Sequence, residues 1–194
     1  MGHSKADKQK SRELIVKTAA KVFRERGLDG IGLADLMKAA GLTHGGFYGH
    51  FASREELIAE AVELALSQGG QAMAAVAGSK PSPKAAIALL VDAYLSLVHR
   101  DQVGASCAVA TMANDVSRAN ARCRTAYTRQ VSRYLNLLVG LVATENPSSR
   151  RARAVTALST LVGAVSMARA VNDEKLSREI LKTAASELKK QLAS

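Results

Sequence analysis

Few side chains in this 194-residue chain are suited to covalent or metal chemistry: Cys107 and Cys123, and the four histidines His3, His44, His50 and His99. Cys107 follows Gly104-Ala-Ser at the start of an expected helix, where the helix dipole favours a thiolate. Cys123 lies between Arg122 and Arg124, a second neighbourhood that suits a thiolate. The alternative for both is a small buried hydrophobe. Two cysteines cannot build a disulfide framework, and the histidines have no metal-ligand spacing. The chain holds no Cys-x-x-Cys, His-Glu-x-x-His, Gly-x-Ser-x-Gly or phosphate-binding Gly-rich loop. No catalytic residue, metal or cofactor is therefore expected, and the protein is not read as an enzyme.

The charged residues point elsewhere. Lys and Arg number 27 against 17 Asp and Glu, a net charge of +10. Such a balance favours anionic partners such as nucleic acid, an anionic membrane or acidic metabolites. Lys5, Lys8, Lys10 and Arg12 face only Asp7, and the run Arg118, Arg122, Arg124, Arg129, Arg133 contains no acid. Either run could equally be a solvated helix face. The start of the chain does not read as a secretory signal, and the most apolar stretch, Ala154 to Ala168, is short and holds Thr156, Ser159, Thr160 and Ser166. A reduced, cytoplasmic protein is expected.

The elements that must position these groups are helices. Leu14, Ile15, Thr18, Ala19, Val22 and Phe23 form one apolar stripe, with Lys17, Lys21, Arg24 and Arg26 outside it. Gly27 and Leu28 suit the C′ and C″ positions that end that helix. A short helix runs from Leu33 to Ala40 and stops at Gly41. Thr43 is an N-cap for another ending near His50 and Phe51, and Ser53-Arg-Glu-Glu56 is a capping box for a helix reaching about Ala77. After the Gly78–Pro83 loop, Ser82 and Pro83 start a helix to His99. Further helices are expected over about 104–116, 120–143, 150–171 and 174–192. No segment alternates long enough for a strand, so about nine helices and an all-α fold are expected.

Residues 33–51 place two short helices around Gly41, with Leu36, Met37, Ala40, Leu42, Phe47 and Phe51 to hold their angle. This is the helix-turn-helix plan, although an ordinary αα-corner has the same pattern. The longer run Gly27-Leu-Asp-Gly-Ile-Gly-Leu-Ala-Asp-Leu-Met, Ala40-Gly-Leu-Thr-His-Gly-Gly-Phe-Tyr-Gly-His-Phe and Ser53-Arg-Glu-Glu-Leu resembles the DNA-binding domain of TetR/AcrR-family transcriptional regulators. The resemblance covers about residues 9–68. It implies a homodimer, an N-terminal three-helix DNA reader and a helical domain that binds a small molecule and sets affinity for an operator. The expected division is 1–55 for the arm and helix-turn-helix, and 56–194 for ligand binding and dimerisation.

In that reading Thr43 caps the recognition helix and offers its hydroxyl to a phosphate. Tyr48 and His50 resemble the family's phosphate contacts, and Arg54 holds the backbone at a helix start. His44 is the large polar side chain at the reading edge. Gly45 and Gly46 permit close backbone approach, and Lys5, Lys8 and Lys10 form a minor-groove arm. The chain departs from the pattern at Gly32, where Ser or Thr is usual, and in the glycines of the recognition helix. Candidate ligand contacts are Met73, Leu90, Tyr94, Leu97, Cys107, Met112, Tyr127, Val131 and Tyr134. Ala157, Leu161, Ala164, Val165 and Ala168, with Ile180, Leu181, Ala184 and Leu188, are the candidate dimer face. Family members that sense electrophiles or oxidants carry a Gly…Cys element at a place similar to Gly104–Cys107. That makes redox sensing the alternative to simple ligand release. A non-specific DNA-compacting protein and a helical small-molecule binder without DNA binding are the readings from other classes.

Overall fold

A computed structural model describes residues 5–142 and 146–193. Met1, His3 and Ala143 lie outside the described residues. Within them the chain is helical and has no strand. The helices are α1 (Lys5–Arg26), α2 (Leu33–Ala39), α3 (Arg54–Gly78), α4 (Pro83–Tyr94), α5 (Leu97–Asp101), α6 (Ala108–Thr111), α7 (Ala113–Arg118), α8 (Ala121–Leu141), α9 (Pro147–Ala170) and α10 (Glu174–Ala193). Two 3-10 segments, His44–Gly49 and Val103–Ala105, complete them. No helix among the described residues is long and apolar enough to cross a membrane.

The ends of these helices follow from local chemistry. Gly27 and Gly41 have φ of +79° and +71°, the left-handed geometry that glycine adopts without strain. After α2, Gly41 N donates to Lys38 O and Leu42 N to Met37 O, a Schellman closure. Ser53 Oγ accepts from Glu56 N at 3.2 Å while the Glu56 carboxylate accepts from Ala52 N at 2.7 Å. Ser82 Oγ caps α4 on Ala85 N, and Asn120 Oδ1 caps α8 on Cys123 N.

The buried stripe of α1 is Ile15, Val16, Ala19, Ala20, Val22 and Phe23, which pack on Leu36, Met37, Phe47, Phe51 and Leu57. Leu14 falls outside it and is exposed. α3 packs on α1 along one side and on α8 along another, so one helix belongs to both halves of the molecule. Gly69 and Gly70 do not interrupt α3. An added Cβ there would meet Tyr134 Oη at 2.7 Å and the Gln130 amide at 2.6 Å, so the glycines allow α8 to approach.

Three expected helices differ in form. The helix expected over 83–99 breaks after Tyr94, because Ser96 caps a new turn and the His99 ring folds back onto the Tyr94 carbonyl. The one expected over 104–116 divides into a 3-10 turn, α6 and α7. The recognition element is a 3-10 helix, six residues long with glycine at 45, 46 and 49.

Candidate nucleic-acid interface and ligand cavity

Phe47 and Phe51 are buried and stacked, with ring centroids 5.4 Å apart. They anchor the 3-10 segment and leave Thr43, His44, Gly45 and Tyr48 on the outside. Tyr48 is 68% exposed and stands edge-on to the His44 ring at 6.4 Å. Arg12 fixes this segment to the scaffold. Its guanidinium lies 4.5 Å over the Phe51 ring, its Nε donates to His50 O, and its terminal nitrogens pair with Glu60 at 2.5 Å and Glu56 at 3.3 Å. The sequence reading missed Arg12, whose signal was its place on α1 above an aromatic pair.

Several expected DNA contacts are placed otherwise. Thr43 makes no side-chain cap, because the following segment winds as a 3-10 turn; its hydroxyl stays exposed. Arg54 donates to Leu28 O at 2.6 Å, to Ile31 O at 3.3 Å and to Asp29 at 3.2 Å. It therefore ties the loop after α1 to the start of α3 rather than pointing freely outward. Lys5, Lys8 and Lys10 are exposed but lie within α1, so they are part of a helix and not an extended arm. His50 is half-buried with an unpartnered Nδ1. Burial, and then the charges of Lys8 and Arg12, lower its pKa from the ordinary value, which opposes a charged phosphate contact.

A cavity of about 450 Å³ lies where the two halves meet. Met73, Leu90, Tyr94, Cys107 and Tyr134, among the candidate ligand contacts, line it. Leu97, Met112, Tyr127 and Val131 do not. Met112 is fully enclosed in the core, Tyr127 Oη donates to Val109 O at 2.8 Å, and Leu97 and Val131 pack on the core at its margin. The unforeseen lining includes the charged and imidazole side chains of α1 and α5, Lys17, Lys21, Arg24 and His99, and Gln68 and Val76 of α3.

Arg24 is 6% exposed, not on the solvated side of α1. Its terminal nitrogens donate to the carbonyls of Ala20, Gly104 and Ala65 and to Gln68 Oε1, and its Nε has no partner. Burial lowers its pKa, yet a guanidinium remains charged in a protein. Cys107 Sγ is 3.6 Å from Tyr134 Oη. Cys107 N donates to His99 Nε2 at 3.0 Å. That leaves the His99 proton on Nδ1, which donates to Tyr94 O at 2.6 Å. Burial also lowers the His99 pKa, consistent with this neutral tautomer. Burial, followed by the Glu63 charge, pushes the Cys123 thiol up. Its arginine neighbours do not make it a thiolate, because Arg122 is held by Glu63 at 2.7 Å.

The expected dimer face also needs correction. Ala157, Leu161, Ala164, Val165, Ala168, Leu181 and Leu188 are buried within one chain, where α9 packs on α10 and α8. Ile180 and Ala184 are partly buried and border an open groove. The exposed apolar side chains of this groove are Val155, Met167 and Leu176.

Residues 15–61 match the family described as bacterial regulatory proteins, tetR family. The segment that holds the reader, from α1 into the start of α3, thus carries the tetR-family pattern. Its N-terminal part is similar to the HTH-type transcriptional regulator AcrR of Shigella flexneri, 34% identical over 68 residues, or 35% of this chain and 32% of that protein. The chain thus spans about a third of that relative's length. An uncharacterized HTH-type transcriptional regulator of Mycobacterium tuberculosis is 28% identical over 173 residues, covering 85% of this chain and 87% of that one. The fold is that of a TetR transcriptional regulator from Chloroflexus aurantiacus, with a TM-score of 0.83, 23% identity and 97% of each chain covered.

Proposed function

We propose that this protein is a tetR-family, sequence-specific DNA-binding transcription regulator, a repressor that a small-molecule ligand releases from its operator. DNA reading resides in residues 1–55, and ligand binding and dimerisation in 56–194. One observation carries the reading: the cavity is walled in part by α1, a helix of the DNA-reading unit, through Lys17, Lys21 and Arg24. A ligand there touches the scaffold that holds His44 and Tyr48. In a dimer, a few ångströms of movement change the spacing of two readers that must match half-sites about 34–36 Å apart. The exposed Val155, Met167 and Leu176 support a second copy of the chain at the groove of α9 and α10.

A genome-wide binding map of the wild-type protein and His44→Ala tests the first part. A small set of two-fold symmetric sites, with preference relaxed at one position per half-site in the variant, is expected. Uniform binding without any preferred sequence would refute it in favour of DNA compaction. For release, a ligand that frees operator must bind more weakly when operator is present, by the same factor. A second reading, electrophile sensing, is favoured by the place of Cys107 in the cavity wall. Thiol labelling that leaves DNA affinity unchanged would remove it.

A further inference from the structure

The chemistry of the cavity wall goes further than its existence. Arg24 is a buried cation whose hydrogen bonds all go to neutral acceptors: three backbone carbonyls and the Gln68 amide oxygen, at 2.8 to 3.3 Å. No carboxylate pairs with it, and no Asp or Glu lines the cavity. Lys21 and Lys17 lie one and two turns before it on the same side of α1 and also line the space, so the cations form a row leading inward. Glu25 is paired with Lys21 at 4.0 Å, outside the lining. The opposite wall is apolar, from Met73, Val76 and Leu90.

Desolvating a cation without a counter-charge is costly, and an anion supplied by a ligand recovers that cost. We propose that the cavity takes a small organic monoanion, a carboxylate or a compound of similar acidity, whose head group replaces Gln68 on Arg24 and whose apolar body rests on Met73, Val76 and Leu90. The assignment rests on the ligand-release reading only for its consequence, not for the binding itself. Gln68 is the replaceable acceptor because it is a flexible side chain, whereas Ala65, Ala20 and Gly104 offer fixed carbonyls. A polyanion such as a nucleotide is disfavoured, since Arg24 is the buried cation of a cavity of about 450 Å³, while Lys17 and Lys21 are exposed and leave any further charge deep against the apolar wall unpaired. The consequence for DNA follows from the same contacts. Arg24 joins α1 to Ala65 and Gln68 of α3 and to Gly104 of the second half. An anion that redirects the guanidinium loosens α1 from α3 at the end remote from Arg12.

The test uses the full chain and matched acid–amide pairs: benzoate with benzamide, phenylacetate with phenylacetamide, and hexanoate with hexanamide, titrated calorimetrically at pH 7.5. At least one acid should bind about tenfold or more tightly than its amide, the discrimination expected of a charge-assisted hydrogen bond. Arg24→Met should erase the preference. Arg24→Lys, which keeps a positive charge should the methionine variant not fold, should retain part of it. Acids and amides that bind alike, or a panel in which no acid binds, overturns the proposal. So does an acid preference that survives in Arg24→Met. Each acid is also titrated into the complex with a duplex that the protein has selected from a random library. An acid that binds through Arg24 without weakening the complex leaves the anion site standing and removes the release reading. Acid–amide indifference with release by another compound does the reverse.

Discussion

Arg54 separates two physical accounts, because a positive residue at the start of α3 could serve the DNA or the fold. Its guanidinium bonds the carbonyls of Leu28 and Ile31, which belong to the loop between α1 and α2. Arg54→Ala removes both bonds and leaves two carbonyls in a partly enclosed place. Charge-assisted hydrogen bonds contribute about 1.5–3 kcal/mol each when well enclosed. The Arg54 side chain is 31% exposed, so water compensates part of the loss, and the pair with the open Asp29 adds little. A cost of about 2 kcal/mol follows, which for a chain of this size lowers the unfolding midpoint by roughly 4–8 °C. The assay is thermal unfolding beside a salt titration of DNA binding. A lost phosphate contact lowers the slope of log affinity against log salt by about one unit, whereas a lost loop tie leaves it unchanged. A variant with wild-type stability and a slope reduced by one would refute the structural role.

Gly45→Ala should raise stability by up to about 1 kcal/mol, since its φ is not positive and an added Cβ meets nothing within 4 Å, yet it should weaken DNA binding; unchanged DNA affinity would remove the close backbone approach. Gly70→Ala should cost about 1–3 kcal/mol by overpacking on Gln130, read by denaturant unfolding, and a neutral outcome would mean that α8 yields easily. Met167→Asp should leave the chain folded but monomeric in sedimentation; a persistent dimer would place the interface elsewhere. His99 and His50 both have pKa values lowered from the ordinary 6.5, so the native state resists protons that the unfolded chain accepts. Their contribution to stability is complete above pH 6.5 and declines as pH falls below it. His99→Gln should flatten that decline, and an unfolding midpoint that rises between pH 6.5 and 5 would contradict the sign.

The all-α fold was legible because its punctuation is local. Gly27, Gly41, Ser53 and Ser82 act on residues within a turn of themselves, and Phe47 and Phe51 are enclosed as their spacing demands. Arg24 was not legible. A cation between Phe23 and Glu25 on a helix rich in Lys and Arg reads as solvated, and partners far along the chain, Ala65, Gln68 and Gly104, make it interior. The break before α5 was hidden for the same reason, since it depends on His99 reaching Tyr94 and Cys107. Apolar spacing on α9 and α10 identified residues that need covering, but not what covers them: the same stripe serves the neighbouring helix of one chain or a second copy. Cys123 shows the limit of reading charge from sequence neighbours, because Arg122 turns to Glu63 on α3.

The glycine-rich reader carries a kinetic consequence. Its backbone is closed by single-turn bonds, Gly46 N to Thr43 O and His50 N to Phe47 O, and one aromatic pair with Arg12 over it holds it down. Such a segment opens at the cost of its contacts with Arg12 while α1 and α3 keep their own backbone bonds, so its amides should exchange with solvent long before those of the helices beneath it. Duplex DNA then meets a flexible edge that stiffens on contact. Part of the contact energy goes into lost backbone freedom, and protection of amides 44–50 from exchange becomes a direct readout of engagement.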